Sequence, residues 1–247
     1  MTRRVLVTGG SRGIGAQICR TFAAAGDHVA VHYSASATAA NEVLASLPGT
    51  GHITVQADLR DADAVKAMVD AAAAHLGGID VLVNNAGVFI DHPPLDTGFD
   101  EWQQAWRETV EVNLYGPANA VWAALPHMPS GARIITVGSR GAFRGEPDAP
   151  AYAASKAAVT AMGQSLAKSL APRGITVITL APGFVETEMA ARLLDSPVGD
   201  EIRHQSPHGR VATAQEVADA VVGLSAPWTT WASGSVVDFN GASYLRV

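Results

Sequence analysis

The sequence predicts an α/β protein built as one doubly wound domain over residues 1–247, with a parallel seven-stranded sheet flanked by helices. Two observations predict it. Short apolar runs alternate with helical patterns along the whole chain, and strict β/α alternation demands right-handed crossovers and a parallel sheet. The apolar runs are also continuous, not interleaved with polar residues, as strands covered by helices on both faces require. No low-complexity linker divides the chain.

Residues 4–8 read as a short buried strand ending at Gly9-Gly10. Residues 13–25 read as a helix: Ile14, Ile18 and Phe22 recur at i, i+4 and i+8, and Gly26 supplies a C-terminal stop. A second strand covers 28–33, and a second helix, 37–47, is closed by Pro48-Gly49. A third strand, 52–57, precedes a helix at 62–76 with Val65, Met68, Val69 and Ala72 on one side. Then follow a strand at 79–83, one long helical stretch at 100–125, a strand at 133–137 and a helix around Tyr152 that runs to 170. A strand at 175–180, a helix at 213–224 and a strand at 235–239 complete the pattern.

Composition narrows the function. Hydrophobic residues make up 48% of the chain and charged residues 16%, which suits a globular core and excludes wholesale disorder. A net charge of −6 argues against generic nucleic-acid binding, which needs a basic surface. No apolar run is long enough to span a membrane. Cys19, the single cysteine, is expected as a small core residue. No long apolar signal core precedes Val5-Leu6-Val7, so a reducing, cytoplasmic setting is expected.

Between the first strand and first helix lies Thr8-Gly9-Gly10-Ser11-Arg12-Gly13-Ile14-Gly15. Glycines here allow a tight turn and let a pyrophosphate approach the helix N-terminus, where free N–H groups and the dipole favour an anion. An acid at the end of the second strand would select a free adenosine 2′-OH, and Tyr33-Ser34-Ala35-Ser36 contains none. Arg12 is placed to pair with a phosphate, and Ser34 and His32 to add hydrogen bonds, which favours NADP(H) over NAD(H). Asp58 is either an acceptor for the adenine amino group or the N-cap of the following helix. Asn84-Asn85-Ala86-Gly87 ends the fourth strand with turn-holding amides and small residues.

Tyr152 and Lys156 stand four residues apart, on one face if helical. A phenol titrates near pH ~10 when unperturbed, and a neighbouring ammonium is expected to lower that value, as acid/base work on an alcohol needs. Only three lysines occur, Lys66, Lys156 and Lys168, so Lys156 is less suspect as surface filler. The pattern alone still recurs by chance.

Taken in order, Thr8-Gly9-x-x-x-Gly13-x-Gly15, Asp58, Asn84-Asn85-Ala86-Gly87, Asn113, Ser139, Tyr152-x-x-x-Lys156 and Pro182-Gly183-x-x-x-Thr187 make the whole chain resemble the short-chain dehydrogenase/reductase family. Its 3-oxoacyl-carrier-protein reductase-like members look most similar. The resemblance implies a single-domain Rossmann fold and hydride transfer between a nicotinamide and a carbonyl or secondary alcohol, without a metal. It implies that Ser139 polarises the carbonyl, that Tyr152 is the general acid/base, that Lys156 lowers the Tyr152 pKa and binds the nicotinamide ribose, and that Asn113 holds a relay water. It implies cofactor contacts from Gly9, Ser11, Arg12, Gly13, Ile14, Gly15, Tyr33, Ser34, Asp58, Leu59, Asn85, Ala86, Gly87, Tyr152, Lys156, Pro182, Gly183, Val185 and Thr187. It also implies a homotetramer, or a homodimer, built on the 100–125 and Tyr152 helices. Gly138, where many members have serine, and Asn240-Gly241-Ala242, where close reductases often have Asp-Gly-Gly, are departures that leave the substrate class open.

Segments 88–98, 140–150 and 184–210 are expected to wall the substrate pocket, since ligands in open α/β sheets sit beyond the strand C-termini. His92 and His204 there are expected to be solvated loop residues. A small carbonyl or alcohol compound is expected as substrate, with a 3-oxoacyl thioester as the specific alternative. A non-catalytic NADP-binding regulator of the same fold is the rival from another class; such proteins usually lose the Tyr or the Lys, and both are present.

Overall fold

The computed structural model describes residues 2–246, apart from the side chains of Met189 and Arg192. Nine strands and ten α-helices are described. The order opens β1 (Arg4–Val7), α1 (Gly13–Ala24), β2 (His28–Tyr33), α2 (Ala37–Ser46), β3 (Ile53–Gln56), α3 (Ala62–Leu76), β4 (Val81–Asn84), α4 (Phe99–Val110) and α5 (Gly116–Ala124). It continues with β5 (Arg133–Val137), α6 (Gly141–Arg144), α7 (Pro150–Leu170), β6 (Thr176–Pro182), β7 (Val185–Glu186), α8 (Glu188–Leu194) and α9 (Gly199–His204). β8 (Ala212–Thr213), α10 (Ala214–Leu224) and β9 (Val236–Phe239) close it.

Seven strands form one parallel sheet in the order β3-β2-β1-β4-β5-β6-β9, the doubly wound arrangement expected from the alternating pattern. Strand order reverses beside β1, between β1 and β4, and such switch points open a crevice at the strand C-termini. The register brings those ends level: Val7 pairs with Val83, Asn84 with Thr136, and Val137 with Leu180. The sheet is covered on both faces, which is why its strands are continuously apolar. Leu6, Leu82, Ile134 and Val177 face a core shared with α3 and α5. Val5, Val7, Val83, Ile135 and Ile178 face the other core, shared with α1 and α10. Cys19 lies in this second core with its thiol pushed well up by burial, so it is a packing residue.

Two segments differ from expectation. The 100–125 stretch is not one continuous α-helix: a π-helical turn, Glu111–Tyr115, separates α4 from α5. A pattern of apolar residues read over a long stretch does not locate one inserted residue, and widened turns of this type recur at functional sites. The 184–210 segment is also more ordered than its composition implies. It holds β7, α8 and α9, and β7 pairs with β8 in a separate two-stranded sheet. Ala190, Leu194 and Ile202 give this lobe its own small core.

Candidate active site

The glycine-rich turn crosses from β1 to α1 at the reversal point. Gly9 has φ +65° and a Cβ there would stand 2.9 Å from Ala86 Cα; a Cβ on Gly15 would stand 2.1 Å from the Gly9 carbonyl oxygen. Only hydrogen fits at either position. Asn85 ties the turn to β4: its Nδ2 donates to the Thr8 and Gly9 carbonyls at 2.9 and 3.2 Å, and the Asn85 and Ala86 amides donate to Thr8 Oγ1. Helix α1 starts at Gly13 after Arg12, with no side-chain cap and no acid in its first turn. Its first-turn amides therefore meet no competing carboxylate from that turn, and the residues present fit a pyrophosphate. Ser11 and Ile14 are partly buried beside it, and Arg12 is exposed with no side-chain partner among the described residues.

Around the adenosine end the structure revises two expectations. His32 is buried and does not face a ligand: its Nδ1 accepts the Gly9 N–H at 2.9 Å and its Nε2 donates to the Ala57 carbonyl at 3.1 Å. This fixes the neutral tautomer with hydrogen on Nε2, and burial holds its pKa below the usual value. Asp58 does not cap α3; Asp61 does, accepting from the amides of Asp63 and Ala64. Asp58 instead pairs with Arg60, which pulls its pKa down. Tyr33 ends β2 half-buried and Ser34 is exposed. The Leu59 side chain is buried against Gly116.

Beyond β4 and β5 the four predicted catalytic residues converge. Lys156 and Tyr152 share one face of α7, with Lys156 Nζ 5.8 Å from the phenol ring centroid. Lys156 is buried and donates to the Val137 carbonyl at 2.9 Å, which ties α7 to the end of β5 just before Ser139. Gly87 packs here as well; a Cβ on it would lie 3.2 Å from Asn113 Oδ1 and 3.4 Å from Lys156 Nζ. Burial lowers the Lys156 pKa to about 8. Burial also raises the Tyr152 phenol, against a hydrogen bond from Ser139 that lowers it. The expected lowering by Lys156 is therefore not what decides the Tyr152 pKa: desolvation is the largest influence.

Asn113 lies within the π turn, and its side chain holds the segment that follows β4: Oδ1 accepts from the Val88 amide at 2.8 Å and Nδ2 donates to the Val88 carbonyl at 2.9 Å. The same Nδ2 reaches Ser155 Oγ at 3.1 Å, and Ser155 Oγ donates to the Tyr152 carbonyl at 2.8 Å. With its side chain spent in this way, any relay through Asn113 runs through the backbone that the π turn disturbs.

Two further residues support Tyr152. His92, expected in solvent, is buried; Nδ1 donates to the Ile90 carbonyl at 2.7 Å and Nε2 accepts the Ala151 N–H at 3.2 Å. It thereby caps the uncapped N-terminus of α7 one residue before Tyr152. Phe89 packs against the Tyr152 ring with centroids 4.9 Å apart. Neither contact has a sequence signal except that both residues lie in the segment marked as a pocket wall.

On the opposite side, Arg140 N bonds to the Pro182 carbonyl and Gly183 N to the Phe239 carbonyl, so β6 ends firmly at the site. Val185 is buried in β7, and Thr187 precedes α8 with its Cγ2 3.8 Å from where a Gly13 Cβ would stand. The lobe thus overhangs the glycine-rich turn.

With this geometry in view, residues 3–197 match the family model described as short chain dehydrogenase. The chain is 36% identical to the 3-oxoacyl-[acyl-carrier-protein] reductase FabG of Staphylococcus aureus (strain N315), covering 99% of each, and 35% identical to that of Escherichia coli (strain K12), covering 97% of this chain and 96% of the relative. It superimposes on a short chain dehydrogenase from Burkholderia cenocepacia J2315, crystallised in complex with NADP, with a TM-score of 0.89 and 38% identity over 98% of this chain and 97% of that one. The chain belongs to the short-chain dehydrogenase/reductase family, nicotinamide-dependent oxidoreductases that act on CH–OH and C=O groups.

Proposed function

We propose that this protein transfers hydride reversibly between NADP(H) and a small carbonyl or secondary alcohol compound, with Tyr152 as general acid/base. The observation that carries this reading is the meeting of Asn113, Ser139, Tyr152 and Lys156 at the sheet's C-terminal edge, beside an uncapped helix N-terminus. The bound nicotinamide supplies the hydride. In reduction, the Ser139 hydroxyl donates to the substrate carbonyl oxygen and stabilises negative charge as it develops there. Tyr152 delivers the proton to that oxygen, and its raised pKa keeps the phenol protonated until then. Lys156, protonated below about pH 8, stabilises the phenolate left behind. Asn113 secures the loop after β4 at Val88 and, through Ser155, the first turn of α7.

NADP(H) is favoured because no carboxylate follows β2 and Arg12 is an exposed, unengaged cation at the turn. The cofactor-contact set read from the sequence stands as the proposed nucleotide site, with Leu59 acting through its backbone and His32 behind the turn. Segments 88–98, 140–150 and 184–210 wall the substrate site. The names of the curated relatives make a 3-oxoacyl thioester the first substrate to test. Assembly as a homotetramer, or a homodimer, through the α4–α5 stretch and α7, and a cytoplasmic setting, complete the reading; among the described residues, no helix is long and apolar enough to cross a membrane.

Replacing Tyr152 with Phe is expected to cut NADPH-dependent reduction by about 10²–10⁴-fold, the usual share of a positioned acid, while NADPH binding survives. Undiminished turnover in that variant overturns the reading.

A further inference from the structure

We propose that Arg140 forms a binding site for a small organic carboxylate, in a cavity between the 184–210 lobe and the C-terminal segment, with Arg144 joined to it from outside the cavity lining through Gln205. Arg140 follows Ser139 directly and is 3% exposed. Its Nη1 donates to Ser243 Oγ and its Nη2 to Gln205 Oε1, both neutral acceptors, and its guanidinium stacks 5.1 Å from the Phe184 ring centroid. Arg144 Nη1 reaches the same Gln205 oxygen at 3.4 Å, and Arg144 Nη2 takes Glu146 at 3.2 Å. Two guanidinium groups therefore converge on one amide oxygen, with one carboxylate for two cations.

A buried cation without a directly bonded counter-charge is costly, and a guanidinium is shaped to bind a carboxylate through two parallel N–H groups. Burial and the charge of Arg144 push Arg140 down to about 10, which leaves it a cation at neutral pH. The cavity it lines has a volume of about 240 Å³, well above the ~30 Å³ a water occupies in the liquid. Its other arginine and its two carboxylates are already engaged: Arg210 with Glu216 at 2.6 Å, and Asp238 with Arg246 at 2.8 Å. His208, Ser206 and Ser243 add polar edges, while Phe184 and Phe239 form apolar walls. An anion with a short apolar body matches that lining, with its carboxylate accepting from Arg140 in place of Ser243, while Gln205 joins Arg140 to Arg144 behind it.

The site is tested by calorimetric titration of the full-length protein, without nucleotide, using benzoate and its neutral counterpart benzamide. Benzoate is expected to bind saturably and benzamide at least about tenfold more weakly, with Arg140→Met removing the difference. Gln205→Glu supplies the chain's own carboxylate to the two arginines, so it is expected to raise Tm and exclude benzoate even if Arg140→Met does not fold. Competition between benzoate and a ketone would assign the site to an acidic end of the substrate, and non-competitive inhibition to a separate effector; either pattern supports it. Equal binding of benzoate and benzamide, no saturation below about 10 mM, or unchanged benzoate affinity in Gln205→Glu overturns it. The titration uses neither cofactor nor turnover, so its failure is distinct from failure of the hydride-transfer reading.

Discussion

The imidazole of His32 holds the amide of Gly9: Nδ1 accepts that N–H at 2.9 Å from behind the glycine-rich turn, while Nε2 is anchored on Ala57. The turn that would receive a pyrophosphate is thus shaped from underneath by β2.

Removing this support has a calculable effect. His32→Leu leaves the Gly9 N–H and the Ala57 carbonyl buried without partners, at about 1–3 kcal/mol each. Both Tm and nucleotide affinity are expected to fall. Protonation acts in the same direction. Burial depresses the folded-state pKa of His32 below 6.5, so the folded protein binds fewer protons than the unfolded chain just below that pH. Its contribution is complete above pH 6.5 and is lost as pH falls through the lower folded value. The difference in Tm between wild type and His32→Gln, followed from pH 7 downward, is expected to shrink; a constant difference would remove His32 from the account.

Lys156 sets a second pH dependence. With its pKa lowered to about 8 and Tyr152 raised, the alkaline fall of kcat/KM for reduction is expected near pH 8 and to belong to the lysine. Lys156→Arg, whose guanidinium does not titrate in this range, should be slower yet lose that limb. A wild-type limb near the phenol range, unmoved in Lys156→Arg, would assign it to Tyr152.

Arg12 carries the cofactor preference. Arg12→Ala is expected to raise KM for NADPH about tenfold, the scale of one lost charge-assisted hydrogen bond, and to leave KM for NADH nearly unchanged. Steady-state kinetics with both nucleotides decides it; parallel changes would mean that Arg12 shapes the turn and does not read the 2′-phosphate.

Much of this molecule was legible before its structure. The seven strands announced themselves through continuous apolar runs, and Gly9 and Gly15 through a turn that leaves no room for a side chain; Tyr152 and Lys156 stood out only once the ordered set of motifs resembled a family. What stayed hidden depends on contacts between distant segments. His92 looks like any loop histidine until its segment is folded onto Ala151, 59 positions away. Asp58 and Asp61 are equivalent cap candidates until the helix start is fixed to the residue. His32 sits in a strand whose side chains alternate between faces, so its direction follows from register and not from composition.

The bond from Ala151 to His92 makes the first turn of α7 and the 88–98 loop a single opening unit. Neither can fray alone: releasing the loop exposes the Ala151 amide, and unwinding that turn strips the imidazole of its donor. Amide hydrogen exchange at Ala151 therefore follows the loop's opening equilibrium.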